Sequence, residues 1–142
     1  MSKKICVAGK FDPCHDGHIN HITRASRLGD YLVVITHPDK IIEKERRCNI
    51  PLWARIITLE GILLRLGIKG EVIVSVDTDG TVAETLRMVK PDIFAKGGDR
   101  SGPNNMPQNE LEVCQEIGCE IVYGIGEQLN QSSKMELAGR VW

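Results

Sequence analysis

The chain has 142 residues, of which 42% are hydrophobic and 26% charged, and its formal net charge is −1. That length suits one domain with a real core, so 1–142 is read as a single unit. The near-neutral balance gives no overall basic field for nucleic acid, and no apolar run approaches the ~20 residues that span a membrane.

The basic start MSKKICVAG carries too short an apolar stretch for a signal peptide, so the expected location is cytoplasmic. The five cysteines (Cys6, Cys14, Cys48, Cys114 and Cys119) are odd in number and form no C-x-x-C pair. Reduced thiols are expected rather than a disulfide framework.

In chain order, KICVA (4–8) predicts a short buried strand, followed by the loop GKFDPCHD. GHINHITRASRLG predicts a helix with Ile19, Ile22 and Ala25 at helical spacing and Gly29 as its C-terminal cap. DYLVVITH (30–37) predicts a second buried strand, and PDKIIEKERRCNIP a charged loop. LWARIITLEGILLRLG predicts a second helix, KGEVIVSV a third strand and TVAETLRMVKP a third helix ended by Pro91. DIFAKGG, NELEVCQEIG and CEIVYGIG predict strand, helix and strand, and QSSKMELAG the start of a last helix. This alternation calls for an α/β, Rossmann-like doubly wound sandwich with a five-stranded parallel sheet. The loop 99–108, with two prolines and two asparagines, should lie at the carboxyl ends of the strands, where such folds bind ligands.

The first loop carries the densest chemistry. His15 and His18 stand three residues apart where a strand gives way to a helix, whose free N–H groups favour anions. Gly9 allows a sharp turn, and Gly17 stands where a side chain would crowd a phosphate. Imidazole N–H groups there suit phosphate oxygens and the charge that grows on them in a transition state. Neither the Walker pattern nor G-x-G-x-x-G is present. A zinc site using His15, His18 and Cys14 is a competing reading, though Cys14 and His18 lack a second ligand pair at the usual spacing. Two solvated surface histidines are the bland one.

The run from Gly9 to His18, G-K-F-D-P-C-H-D-G-H, resembles the signature of the HxGH nucleotidylyltransferase superfamily, the cytidylyltransferase-like family. Its members include glycerol-3-phosphate cytidylyltransferases and heptose-phosphate adenylyltransferase domains. ASRLGDYLVVITHPD, the Pro51-x-x-x-Arg55 helix start and VKPDIFAKGGD extend the resemblance over nearly the whole chain. Lys10 replaces a residue that is usually small, and the cytidylyltransferase R-T-E-G-I-S-T-T is absent. The heptose enzyme's G-C-S-T-T is absent too.

The resemblance implies attack of a small phosphomonoester, such as a sugar or polyol phosphate, on the α-phosphorus of ATP or CTP. Pyrophosphate leaves, with Mg²⁺ on the triphosphate and no dedicated protein metal site. His15, His18 and Lys44 are then the catalytic residues. Gly9, Lys10, Phe11, Gly17, Lys96, Gly98, Asp99, Ser132 and Ser133 bind nucleotide, and Lys10, Lys40 and Arg55 bind the acceptor. Lys44 is chosen from the cation cluster Lys40, Lys44, Arg46 and Arg47. Taken alone, that cluster reads as a solvated face and Arg55 as a surface ion pair. Asp12 is expected to cap the first helix or to orient a histidine, and His21 and His37 stand near the site by position only. The family implies a homodimer. A non-catalytic nucleotide-binding module on the same fold is the alternative.

Overall fold

The computed structural model describes residues 2–97, 102 and 106–126. Five strands, β1 (Lys4–Ala8), β2 (Tyr31–Thr36), β3 (Gly70–Val74), β4 (Ile93–Gly97) and β5 (Glu120–Ile125), form one sheet. All the pairings are parallel and the order is β3-β2-β1-β4-β5. The helices are α1 (Asp16–Ser26), α2 (Asp39–Glu43), α3 (Leu52–Leu66), α4 (Ala83–Val89) and α5 (Gln108–Ile117).

Strand alternation explains why these apolar runs are buried on both sides. Ile5, Val7, Leu32, Val34, Ile93 and Ala95 pack with Ile22 and Ala25 of α1 and Leu59 and Leu63 of α3. Cys6, Val33, Ile35 and Phe94 face the other way, onto Ala83 and Leu86 of α4 and Val113 and Cys114 of α5. The sheet is thus the middle layer. Chain order reverses at β1, between β2 and β4, which opens a crevice above the carboxyl end of β1.

Two local expectations are corrected. Gly29 does not cap α1. The helix ends at Arg27, and a Cβ at Gly29 would come within 2.7 Å of the Lys3 carbonyl oxygen, so this glycine serves close packing. The stretch 38–51 is not wholly loop, because burial of Ile41 and Ile42 folds Asp39–Glu43 into the short helix α2. The expected last helix at 131–139 lies outside the described residues. Among those described, no helix is long and apolar enough to cross a membrane.

Candidate active site

A cleft of about 560 Å³ sits over the carboxyl ends of β1, β2 and β4. Its floor is the loop after β1, which is held from two sides. On one side, Arg55 of α3 and the Thr36 hydroxyl both donate to the Lys10 carbonyl, at 3.2 and 3.1 Å. On the other, the Asp12 carboxylate accepts the Asn49 N–H at 2.8 Å, the Ile50 N–H at 2.5 Å and the Arg46 guanidinium at 2.8 Å. Between these anchors Phe11 takes a positive φ of 52° and turns its ring inward, 2% exposed, beneath Gly9 and against His18. Gly9 lets the ring pack this closely: a Cβ there would meet the Phe11 ring at 3.1 Å, and the ring would have to give by a few tenths of an ångström.

Asp12 therefore neither caps α1 nor orients a histidine; it ties the loop after α2 to the cleft floor. Burial opposes its ionisation. The N–H of Asn49, the Arg46 guanidinium and the N–H of Ile50 outweigh that and hold the carboxyl below its ordinary value.

The two histidines start α1 as a reciprocal pair. His15 is the N-cap, and its Nδ1 accepts the Gly17 N–H at 3.1 Å. His18 Nδ1 accepts the His15 N–H, also at 3.1 Å. The arrangement is a capping box built from imidazoles instead of Ser and Glu. It fixes the tautomer. An Nδ1 that accepts carries no proton, so in each neutral ring Nε2–H is the donor. The rings stack at 3.8 Å, 24° from parallel, and both line the cleft.

Burial first, then the neighbouring His15 and His21, push the His18 pKa down to about 4. The ring is therefore neutral at physiological pH. A folded value below the ordinary 6.5 means that stability is fully present above 6.5 and is lost as pH falls toward 4. NMR of the histidine ring protons should show no titration of His18 between about pH 5 and 8. A midpoint near the ordinary histidine value would mean that burial does not hold the ring neutral.

The same geometry speaks against the zinc reading. Both Nδ1 atoms are engaged by the backbone, Cys14 packs against the core, and burial pushes its thiol up to about 11. Among the described residues no group of three or more His, Cys, Asp or Glu is arranged to hold a metal.

Of the residues singled out in the sequence, Gly9, Lys10, Phe11, His15, His18 and Lys96 line the cleft. Gly17 supports the cap from outside the lining. Lys40 and Lys44 do not line it; the Lys44 ammonium donates to the Thr78 carbonyl at 2.6 Å. Arg55 is no surface residue. It is 1% exposed, and its guanidinium donates to Ile50, Lys10, Thr36 and Asp39. Gly98, Asp99, Ser132 and Ser133 lie outside the described residues. His21 ties α1 to the end of β5 through an Nδ1–H bond to the Ile125 carbonyl, 2.7 Å.

The structure adds residues that the sequence did not single out as site residues: Glu45, Arg46, Gly80, Val82, Pro107 and Glu110. Each cation of the described lining faces a carboxylate. Lys10 is paired with Glu45, Arg46 with Asp12, and Lys96 stands 3.7 Å from Glu110. Glu110 had a sequence signal, since it lies three and four residues before the buried Val113 and Cys114 and so shares their helix face. Nothing in the sequence separated Arg46 from Arg47.

The cytidylyltransferase-like family model matches residues 6–123. The chain is 34% identical over 125 residues to the bifunctional protein HldE of Desulfatibacillum aliphaticivorans, covering 86% of this chain and 24% of that one. It is 30% identical over a 142-residue alignment to the FAD synthase of Thermococcus sibiricus, covering 95% and 93%. The chain thus spans about a quarter of the HldE relative and nearly all of the FAD synthase. In fold it matches the lipopolysaccharide core biosynthesis protein of Thermoplasma volcanium, with a TM-score of 0.68 at 23% identity, over 90% of this chain and 100% of that one. With the sheet order, the histidine-capped first loop and the match over 6–123 in agreement, the chain belongs to the cytidylyltransferase-like family of nucleotidyltransferases.

Proposed function

We propose that residues 1–142 form one nucleotidylyltransferase domain that joins ATP or CTP to a small phosphomonoester, such as a sugar or polyol phosphate, and releases pyrophosphate. The observation that carries this reading is the histidine capping box. It leaves two neutral Nε2–H donors beside a helix N-terminus in a cleft. Such donors suit the charge that moves onto pyrophosphate as the acceptor phosphate attacks in line. No covalent enzyme intermediate is needed. Catalysis is positioning and charge neutralisation, and a floor pinned at Lys10 and Asp12 is preorganised for it.

Lys10 and Arg46 supply positive charge at the floor, with Lys96 at the end of β4. The Lys10–Glu45 pair is solvent-accessible and therefore weak, so a phosphate can displace Glu45. Arg46 stays on the buried Asp12 and offers its remaining face. Mg²⁺ would come as a companion of the triphosphate, bound mainly by phosphate oxygens, and would supply further charge neutralisation.

Lys44 is proposed to leave the Thr78 carbonyl for the triphosphate. Lys44→Ala should then lower kcat about a hundredfold with little change in Tm. A fall in Tm with kcat intact would make Lys44 a latch between α2 and the loop 77–81 and nothing else.

The test of the whole reading is pyrophosphate release with ATP and CTP, each against sugar, polyol, amino-alcohol, pantetheine and flavin phosphates, with Mg²⁺ present. Turnover with one nucleotide–acceptor pair is expected. Silence across the panel together with calorimetric nucleotide binding would favour the non-catalytic module.

A further inference from the structure

Among the described residues, two buried side-chain polar atoms have no hydrogen-bond partner, and their residues line the same cleft: His37 Nδ1 and Glu110 Oε1. His37 is 6% exposed and Glu110 4%. The other oxygen of Glu110 accepts the Val82 N–H at 3.0 Å, which fixes the carboxylate in place. The Lys96 ammonium, at 3.7 Å from Oε1, is beyond hydrogen-bond distance. Buried polar atoms are nearly always bonded, so a pair left over in one cleft is open to partners from water or from a ligand that displaces it.

We propose that His37 and Glu110 determine acceptor specificity, by hydrogen-bonding a hydroxyl-bearing body on the phosphomonoester. The inference rests on the transferase reading. A carboxylate repels phosphate oxygens, so Glu110 reads a neutral donor group, not the charged end of either substrate. Donors of that kind occur both on a polyol or sugar and on the nucleobase and ribose. Placement favours the acceptor. The histidine pair that receives pyrophosphate belongs to α1, on one face of the sheet, whereas Val82 and α5 belong to the other. In-line displacement sets the attacking and leaving groups on opposite sides of the phosphorus, so the acceptor comes from the side of α4 and α5. His37 follows Thr36, whose hydroxyl meets Arg55 on the α3 side, and alternation turns His37 toward the opposite face. Burial, then Lys10 and Arg55, lowers the His37 pKa, so the imidazole stays neutral and its Nδ1 either donates to or accepts from a hydroxyl.

The experiment is calorimetry on wild type, Glu110→Gln and His37→Gln, with a non-hydrolysable ATP or CTP analogue present. The probes are glycerol 3-phosphate, a hexose 1-phosphate and n-butyl phosphate. Wild type should bind at least one hydroxylated phosphate about tenfold or more tightly than butyl phosphate. Each substitution should erase about tenfold of that preference and leave butyl phosphate and nucleotide affinity unchanged. Equal loss for all three phosphates would make the pair merely structural and overturn the proposal. A loss confined to the nucleotide would assign the pair to the base or ribose, which also overturns it. So would unchanged affinities, or a wild type that binds none of the hydroxylated probes. Pyrophosphate release with some other acceptor would in that last case leave the transferase reading standing. A binding pattern as expected, with no nucleotide turned over, would instead sink the transferase reading alone.

Discussion

His18→Ala should lower kcat for pyrophosphate release by about 10²–10³-fold or more. The imidazole has two separable jobs. Its Nε2–H is one of two neutral donors for the departing pyrophosphate, and its Nδ1 accepts the His15 N–H that holds the first turn of α1 in place. Loss of that bond should lower stability by about 1 kcal/mol, the size of a lost helix cap. His18→Asn separates the two jobs. The asparagine Oδ1 falls near the position of Nδ1 and can accept the same N–H, while nothing replaces Nε2. Stability should return nearly to wild type, and turnover should not. The measurement is a pair of thermal melts beside kcat and KM for each variant. If His18→Asn regained turnover along with stability, the histidine would be a cap alone, and the transition-state role would pass elsewhere in the cleft.

The fold was legible because its signals are periodic. Each of the five strands is a short apolar run, and in a sheet covered on both faces both sets of alternate residues are buried, as Ile5/Val7 and Cys6 show in β1. The helices α3 and α5 end at glycines in the left-handed conformation, Gly67 and Gly118, a signal that sequence carries well. What the sequence hid were charges whose partners are far away along the chain. Asp12 meets Arg46 and the backbone of 49–50 more than thirty residues later, and no local rule anticipates that contact. In Lys40, Lys44, Arg46 and Arg47 the sequence showed four similar cations, but only the fold turns Arg46 toward the cleft. Glu110 stands among polar neighbours at the start of α5, although its spacing to Val113 and Cys114 places it on the buried face. Arg55, which taken alone reads as a surface ion pair, likewise precedes the buried Leu59 by one helical turn and Leu63 by two, and so shares their buried face in α3.

Arg55 is also where the second large effect is expected. Its guanidinium spans four acceptors: Nε to the Ile50 carbonyl at 2.9 Å, Nη1 to the Thr36 hydroxyl at 2.8 Å and the Lys10 carbonyl at 3.2 Å, and Nη2 to Asp39 at 2.6 Å. These partners join β2, α2, the cleft floor and the entrance of α3. Arg55→Met should destabilise the fold by about 3–4 kcal/mol, because several buried acceptors lose their donor together. Asp39 is half-exposed and regains water, which keeps the figure at the lower end of the range for a broken buried ion pair. For a chain of this size the loss corresponds to a fall of about 10 °C in Tm. Arg55→Lys should recover less than half of it, since one compact ammonium cannot span the four acceptors that a planar fork reaches. The acceptor-contact role implied by the family resemblance makes the opposite forecast. A guanidinium that bound the acceptor phosphate directly would allow lysine to keep the fold, with Tm held and KM for the acceptor raised. Denaturation curves and acceptor KM measured on the same lysine variant decide between them. A large fall in stability with KM nearly unchanged places Arg55 beneath the site as the strut of its floor, whereas intact stability with a raised KM would mean that the guanidinium swings out to the substrate.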